Sequence, residues 1–72
     1  MAFVVRLNNG SLENLFYAGR ISFYTVEGVA VPTNTDDLDL AKKYKYRSGA
    51  ENAVKKILAE STYVTDCSIE EI

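Results

Sequence analysis

The strongest constraint on this chain is the run from Tyr44 to Leu58, where a period-two pattern gives way to a helical one. Lys43-Tyr44-Lys45-Tyr46 alternates strictly, which predicts an extended segment with both tyrosines on one face and both lysines on the other. Ser48 with Glu51 three residues later forms a capping-box pattern, in which each side chain satisfies a backbone N–H at a helix start. Ala50, Ala53, Val54, Ile57 and Leu58 then recur at i, i+3, i+4, i+7 and i+8, a stripe that a helix would bury. The spacing predicts a helix over about 48–61, with Glu51 and Lys55 paired on its exposed side.

Upstream, the pattern is that of strands. Phe3-Val4-Val5-Arg6-Leu7 places Phe3, Val5 and Leu7 on one face, and Asn8-Asn9-Gly10 carries a strong turn signal. A second strand is expected near Glu13 to Ala18, with Gly19-Arg20 as a tight turn or a bulge, then a strand from Ile21 to Val26. Glu27-Gly28 marks another turn, and Val29-Ala30-Val31 reads as a short strand ended by Pro32, which cannot donate to a ladder. A polar loop follows from Pro32 to Asp37. Thr35 is placed to cap a short helical turn there, with Leu38 and Ala41 facing inward. After the helix, Tyr63, Thr65, Cys67 and Ile69 alternate as a last strand, leaving Glu70-Glu71-Ile72 as a fraying end. Together these elements predict one α+β domain over residues 1–72, an antiparallel sheet of four to five strands with the helix packed on one face and a strand at the C-terminus.

Size and composition limit what such a domain can do. At 72 residues it buries only about 60% of the surface its unfolded chain exposes, so eight aromatics are a large share of its core. One cysteine and no histidine exclude a disulfide scaffold and leave no ordinary zinc ligand set. No apolar run approaches the length that spans a bilayer, and the N-terminus lacks the apolar stretch of a signal peptide, so the expected location is the cytoplasm.

No residue pattern identifies a reaction. General acid–base or nucleophilic catalysis usually needs a group poised near neutral pH, most often histidine. Cys67 has no imidazole to activate it, and its place in an alternating strand predicts a small buried hydrophobe. The glycines at 10, 19, 28 and 49 do not form a phosphate-cradling loop. The chain therefore reads as a non-enzyme with no cofactor and no metal.

Two charged segments are the candidate surfaces. Asp36, Asp37 and Asp39 form an acidic cluster, but neither register of a calcium loop places glycine and glutamate where that loop needs them. The cluster fits a helix start better. Lys42, Lys43, Lys45, Arg47, Lys55 and Lys56 hold six of the eight basic residues, interleaved with Tyr44 and Tyr46. Cations beside aromatic rings suit single-stranded nucleic acid. Against that stand the net charge of −2 and the alternation, which turns the tyrosines toward the core and leaves the lysines as a solvated face.

Thr35-Asp36-Asp37-Leu38 leading into Ala41-Lys42-Lys43-Tyr44, then Ser48-Gly49-Ala50-Glu51-Asn52-Ala53, together with Phe16-Tyr17-Ala18-Gly19-Arg20, resembles small accessory proteins encoded by phages and prophages of Gram-positive bacteria. The resemblance covers most of the chain. It implies a non-enzymatic inhibitor that binds a host protein, including CRISPR effectors and other defence nucleases, by steric occlusion or conformational locking. The contact surface expected for such a bacterial partner is the basic face with Asp36, Asp37 and Asp39. A nucleic-acid binder on Lys42 to Lys56 and a homo-oligomer with paired edge strands are the alternatives.

Overall fold

A computed structural model of the chain describes residues 1–8, 14–24, 28–62 and 64–72. Four strands and one α-helix stand among them, in the order β1 (Phe3–Leu7), β2 (Leu15–Tyr24), β3 (Val29–Thr35), α1 (Arg47–Glu60) and β4 (Cys67–Glu71), with a short 3-10 turn at Leu38–Leu40 before the helix. All strand pairs are antiparallel and the sheet order is β3-β2-β1-β4. The chain thus meanders to one edge, and the helical connection carries it to the other. This is the α+β architecture expected.

The core lies between the helix and the middle of the sheet. Val5 and Leu7 of β1, Tyr17 of β2, Ala50 and Ile57 of α1 and Val64 form the buried cluster, with Phe3, Tyr44, Ala53, Val54, Cys67 and Ile69 packed at its margin. Period two explains the β1 share: Phe3, Val5 and Leu7 point toward the helix, as predicted. Burying each large aliphatic side chain of this set contributes about 1.5–3 kcal/mol. The helix rests on Ala50 and Ile57, seven residues apart on one meridian. Leu58, expected in the stripe, is turned about 100° from Ile57 and is exposed.

Val4 points to the other face of the sheet, yet it is fully buried. Its cross-strand partner is Glu70, whose carboxylate meets Arg6 on the same face, Nε to Oε2 at 2.9 Å. The N–H is not aimed at that oxygen, so the contact is an ion pair and not a directed hydrogen bond. The Arg6 guanidinium also lies over the Phe16 ring, 5.3 Å from its centroid. These side chains cover the sheet where the helix does not.

Several elements differ from expectation, each for a physical reason. The two predicted strands around Gly19-Arg20 are one strand, β2, and the bulge reading of that dipeptide is the correct one. Between Tyr17 and Ile21 the register against β3 shifts, and Gly19 adopts φ +105°, a conformation open to glycine. At the bulge the Thr33 hydroxyl replaces the ladder: Oγ1 accepts from the Arg20 N–H at 3.2 Å and donates to the Arg20 C=O at 2.9 Å. Pro32 does not end β3, which continues to Thr35, because β3 is an edge strand and proline is tolerated there. Glu70 and Glu71 do not fray: both pair with β1, and Ile72 and Ala2 exchange backbone hydrogen bonds. The last strand begins at Cys67 and not at Tyr63, which lies outside the described residues, as do Asn9, Gly10, Glu13, Val26 and Glu27.

β2 leaves β1 just before the bulge. Their pairing is confined to Arg6–Phe16 and Leu7–Leu15. Past that point the Tyr17 C=O accepts from the Lys42 N–H at 3.0 Å, and Phe3 and Tyr44 exchange two backbone bonds of 2.8 Å. The segment Lys42–Tyr44 is therefore wedged between the diverging strands. A Cβ at Gly19 would meet the Lys42 side chain at 3.4 Å, an ordinary contact, so the glycine is there for its backbone conformation.

Candidate functional site

The acidic segment is a capped turn. Thr35 Oγ1 accepts from the Asp37 N–H at 3.0 Å, and Asp37 Oδ1 accepts from the Asp39 N–H at 2.9 Å. Asp37, one residue-pair beyond the expected Thr35, is the N-cap of the 3-10 turn. Asp36, Asp37 and Asp39 are all exposed. Among the described residues, no group of three histidine, cysteine or acidic side chains is placed to hold a metal ion. Ala41 is buried as predicted, whereas Leu38 is exposed and Leu40 is 67% exposed.

Lys43 closes the other end of that turn. Its Nζ donates to the carbonyls of Leu38 at 2.9 Å, Asp39 at 3.2 Å and Ala41 at 3.4 Å. The cation thus caps the carbonyl end of the turn, adding to the Ala41 N–H that already donates to the Leu38 carbonyl. It is tied into the fold and is the poorest contact candidate of the basic set. It also joins the acidic and basic segments physically, so Asp36 to Asp39 and Lys42 to Arg47 form one continuous surface strip.

The predicted Lys43–Tyr46 strand is absent. Tyr44 makes a single bridge, to Phe3, and the chain then turns into the helix. Period-two alternation holds only in an extended chain, and here it stops after one pair. The two tyrosines consequently part. Tyr44 packs half-buried beside the core, whereas Tyr46 is 65% exposed. Tyr46 is the N-cap of α1 and gives no side-chain cap bond. The capping box does not form, because the helix starts at Arg47 and places Ser48 inside its first turn.

Around Tyr46 the remaining cations are solvated. Lys45 Nζ lies 5.6 Å from the Tyr46 ring centroid, and Lys42 Nζ lies 5.8 Å from that of Tyr44. Arg47 pairs with Glu51, Nε to Oε1 at 3.3 Å, so Glu51 serves Arg47 and not Lys55 as expected. Lys55 and Lys56 are exposed on the helix and make no ion pair among the described residues. Eight residues of helix put Lys55 about 12 Å along the axis from Arg47, so these two cations extend the strip without focusing it.

The titratable groups of the core are shifted by burial. The Tyr17 hydroxyl is pushed above its ordinary range by desolvation and, secondarily, by Glu60. Tyr44 is raised by desolvation and then by Tyr17. The Cys67 thiol is pushed up to about 11, by burial first and Asp66 second, so it stays protonated at neutral pH. A protonated thiol is a weak nucleophile.

Sequence reasoning placed Tyr46 on the wrong side of its own backbone, and with it missed the exposed aromatic at the centre of the basic strip. Leu40, also exposed, drew no reading from the sequence. One signal was present: Arg47 followed by Ser48-Gly49 allows an earlier helix start, which would release Tyr46 from a strand. No family model, curated protein or solved structure matches the chain. No helix among the described residues is long and apolar enough to cross a membrane.

Proposed function

We propose that this protein is a non-enzymatic binding module of phage or prophage type, which engages an acidic surface of a bacterial cytoplasmic protein, a CRISPR effector or another defence nuclease, and blocks it. The observation that carries this reading is Tyr46, exposed at the head of α1 between Lys45 and Arg47. An amphipathic aromatic ring with few rotatable bonds, rimmed by cations, is the composition of an interface anchor. The ring stands on a rigid base, since Tyr44 two residues away is bonded to β1 through both backbone groups, so little ordering opposes binding. Lys42, Lys45, Lys55 and Lys56 would steer the encounter with an acidic partner, and Leu40 would add apolar contact.

The test is direct. Purified effector nucleases are assayed for DNA cleavage with and without the protein, using wild type, Tyr46→Ala and a Lys45→Glu/Lys55→Glu/Lys56→Glu variant. Inhibition by wild type that is lost in both variants supports the reading. Inhibition untouched by either variant would exclude this surface, and the absence of any inhibited or captured bacterial protein would sink the proposal.

The exposure of Tyr46 also favours a second reading, a single-stranded nucleic-acid contact, because the argument that buried this ring no longer applies. Its signature is affinity that falls steeply with salt as counterions are released. Absence of DNA and RNA binding at low salt rejects it.

A further inference from the structure

The two edges of the sheet are finished differently. On β3, the Ala30 N–H donates to Thr62 Oγ1 at 2.9 Å and the Ala30 C=O accepts from the Thr62 N–H at 2.8 Å. By alternation Pro32 turns its backbone to the same side, where it has no N–H to offer, and its C=O accepts from Asn34 Nδ2 at 3.0 Å. The chain closes this edge with its own atoms.

The β4 edge is open. Ala2 and Ile72 exchange both backbone bonds, and the Asn8 N–H donates to the Asp66 C=O at 3.1 Å. Given the register from Phe3–Glu71 to Leu7–Cys67, the even-numbered residues of β4 are the ones bonded to β1. The backbone groups of Cys67, Ile69 and Glu71 therefore point away from β1 and meet no backbone partner among the described residues. No proline, lysine or bulge blunts this strand; its guards are its five-residue length and the carboxylates of Glu70 and Glu71, of which Glu70 is already paired with Arg6.

We propose that β4 pairs antiparallel with β4 of a second copy of the chain, about a two-fold axis through Ile69. The two four-stranded sheets then join into one, with both helices on the same face. Ile69 faces its own symmetry mate, and Cys67 faces Glu71 of the other copy, so every outward backbone group of β4 is satisfied. On the opposite face Glu70 meets Ser68 of the other copy. No carboxylate stands opposite a carboxylate, and Glu70 is already balanced by Arg6 of its own chain at 2.9 Å. The charges also select this register. A slip that moves the axis to Glu70 sets two glutamates face to face, which is destabilising. A slip to Ser68 pushes Glu71 past the end of the partner strand. This pairing is independent of the Tyr46 surface.

Sedimentation of the full chain from micromolar to millimolar concentration tests it. The expected result is a mass moving from one chain toward two. Glu71→Pro removes an outward N–H and no bond to β1, so it is expected to keep the wild-type spectrum and melting temperature and to sediment as one chain throughout. A second measurement does not depend on that variant folding. Cys67→Ser/Ser68→Cys is mixed with Cys67→Ser/Glu70→Cys under oxidising conditions, and the mixed disulfide is expected to exceed either homodimer several-fold. A wild type that stays a single chain at every concentration would overturn the proposal. So would association unaffected in a folded Glu71→Pro, a mixed disulfide no more abundant than the homodimers, or pairing seen only with an added basic peptide.

Discussion

Thr62 and Ala30, 32 residues apart in sequence, hold each other by two hydrogen bonds, one through the threonine hydroxyl and one through its backbone. The exit of the helix is thereby fastened to the far edge of the sheet. Replacing Thr62 by valine keeps the shape and removes the acceptor, leaving a largely buried Ala30 N–H unpaired. The expected loss is about 1–2 kcal/mol in denaturant unfolding, with Thr62→Ser close to wild type.

The two tyrosines of the basic segment are expected to separate cleanly in stability. Tyr44→Ala empties a place beside the core and should destabilise the protein by about 2 kcal/mol. Tyr46→Ala removes an exposed ring and should change stability by less than about 0.5 kcal/mol. Thermal melts of both variants decide this, and equal effects would mean that Tyr46 is a core residue after all.

Gly19 adopts a backbone conformation that side chains rarely take. At φ +105° a side chain is strained, although a Cβ would meet Lys42 at an ordinary 3.4 Å. Gly19→Ala should therefore cost about 1–3 kcal/mol. A neutral result in equilibrium unfolding would show that the bulge relaxes into another geometry.

Alkaline pH should weaken the fold. The Cys67 thiol is raised from 9.0 to about 11 in the folded state, so its share of stability is complete below the unfolded value and is lost as pH rises through the folded one. Tyr17 and Tyr44 are raised as well and act in the same direction above the ordinary tyrosine range. The melting temperature should fall between pH 9 and 11, and Cys67→Ala should flatten the first part of that fall. A melting temperature constant across this window would contradict the assigned burial of the thiol.

The parts of the fold legible in the sequence are those set by a single local rule. Phe3 to Leu7 alternates within its own five residues, and Ala50 with Ile57 marks the buried meridian of the helix. Illegible features depend on residues far away. Whether Gly19-Arg20 turns or bulges depends on Thr33, whose hydroxyl holds both backbone groups of Arg20. Whether Tyr46 lies in a strand depends on how far Tyr44 can follow Phe3 before the helix begins. The charged residues of the candidate surface were visible from composition, but the division of labour among them was not. Lys43 looked like its neighbours until its ammonium group was found on three carbonyls.

The wedge formed by Lys42 to Tyr44 gives this small sheet a seam. Only two residue pairs join β1 to β2 directly, and the inserted segment adds backbone bonds to Tyr17 and Phe3. The β2–β3 pair is thus joined to the body of the protein partly through the very stretch that presents Lys45 and Tyr46, and partly through Thr62 on Ala30. The amides of Lys42 and Tyr44 are hydrogen-bonded within that connection, so their hydrogen exchange is a gauge of whatever grips the protein at Lys45 and Tyr46.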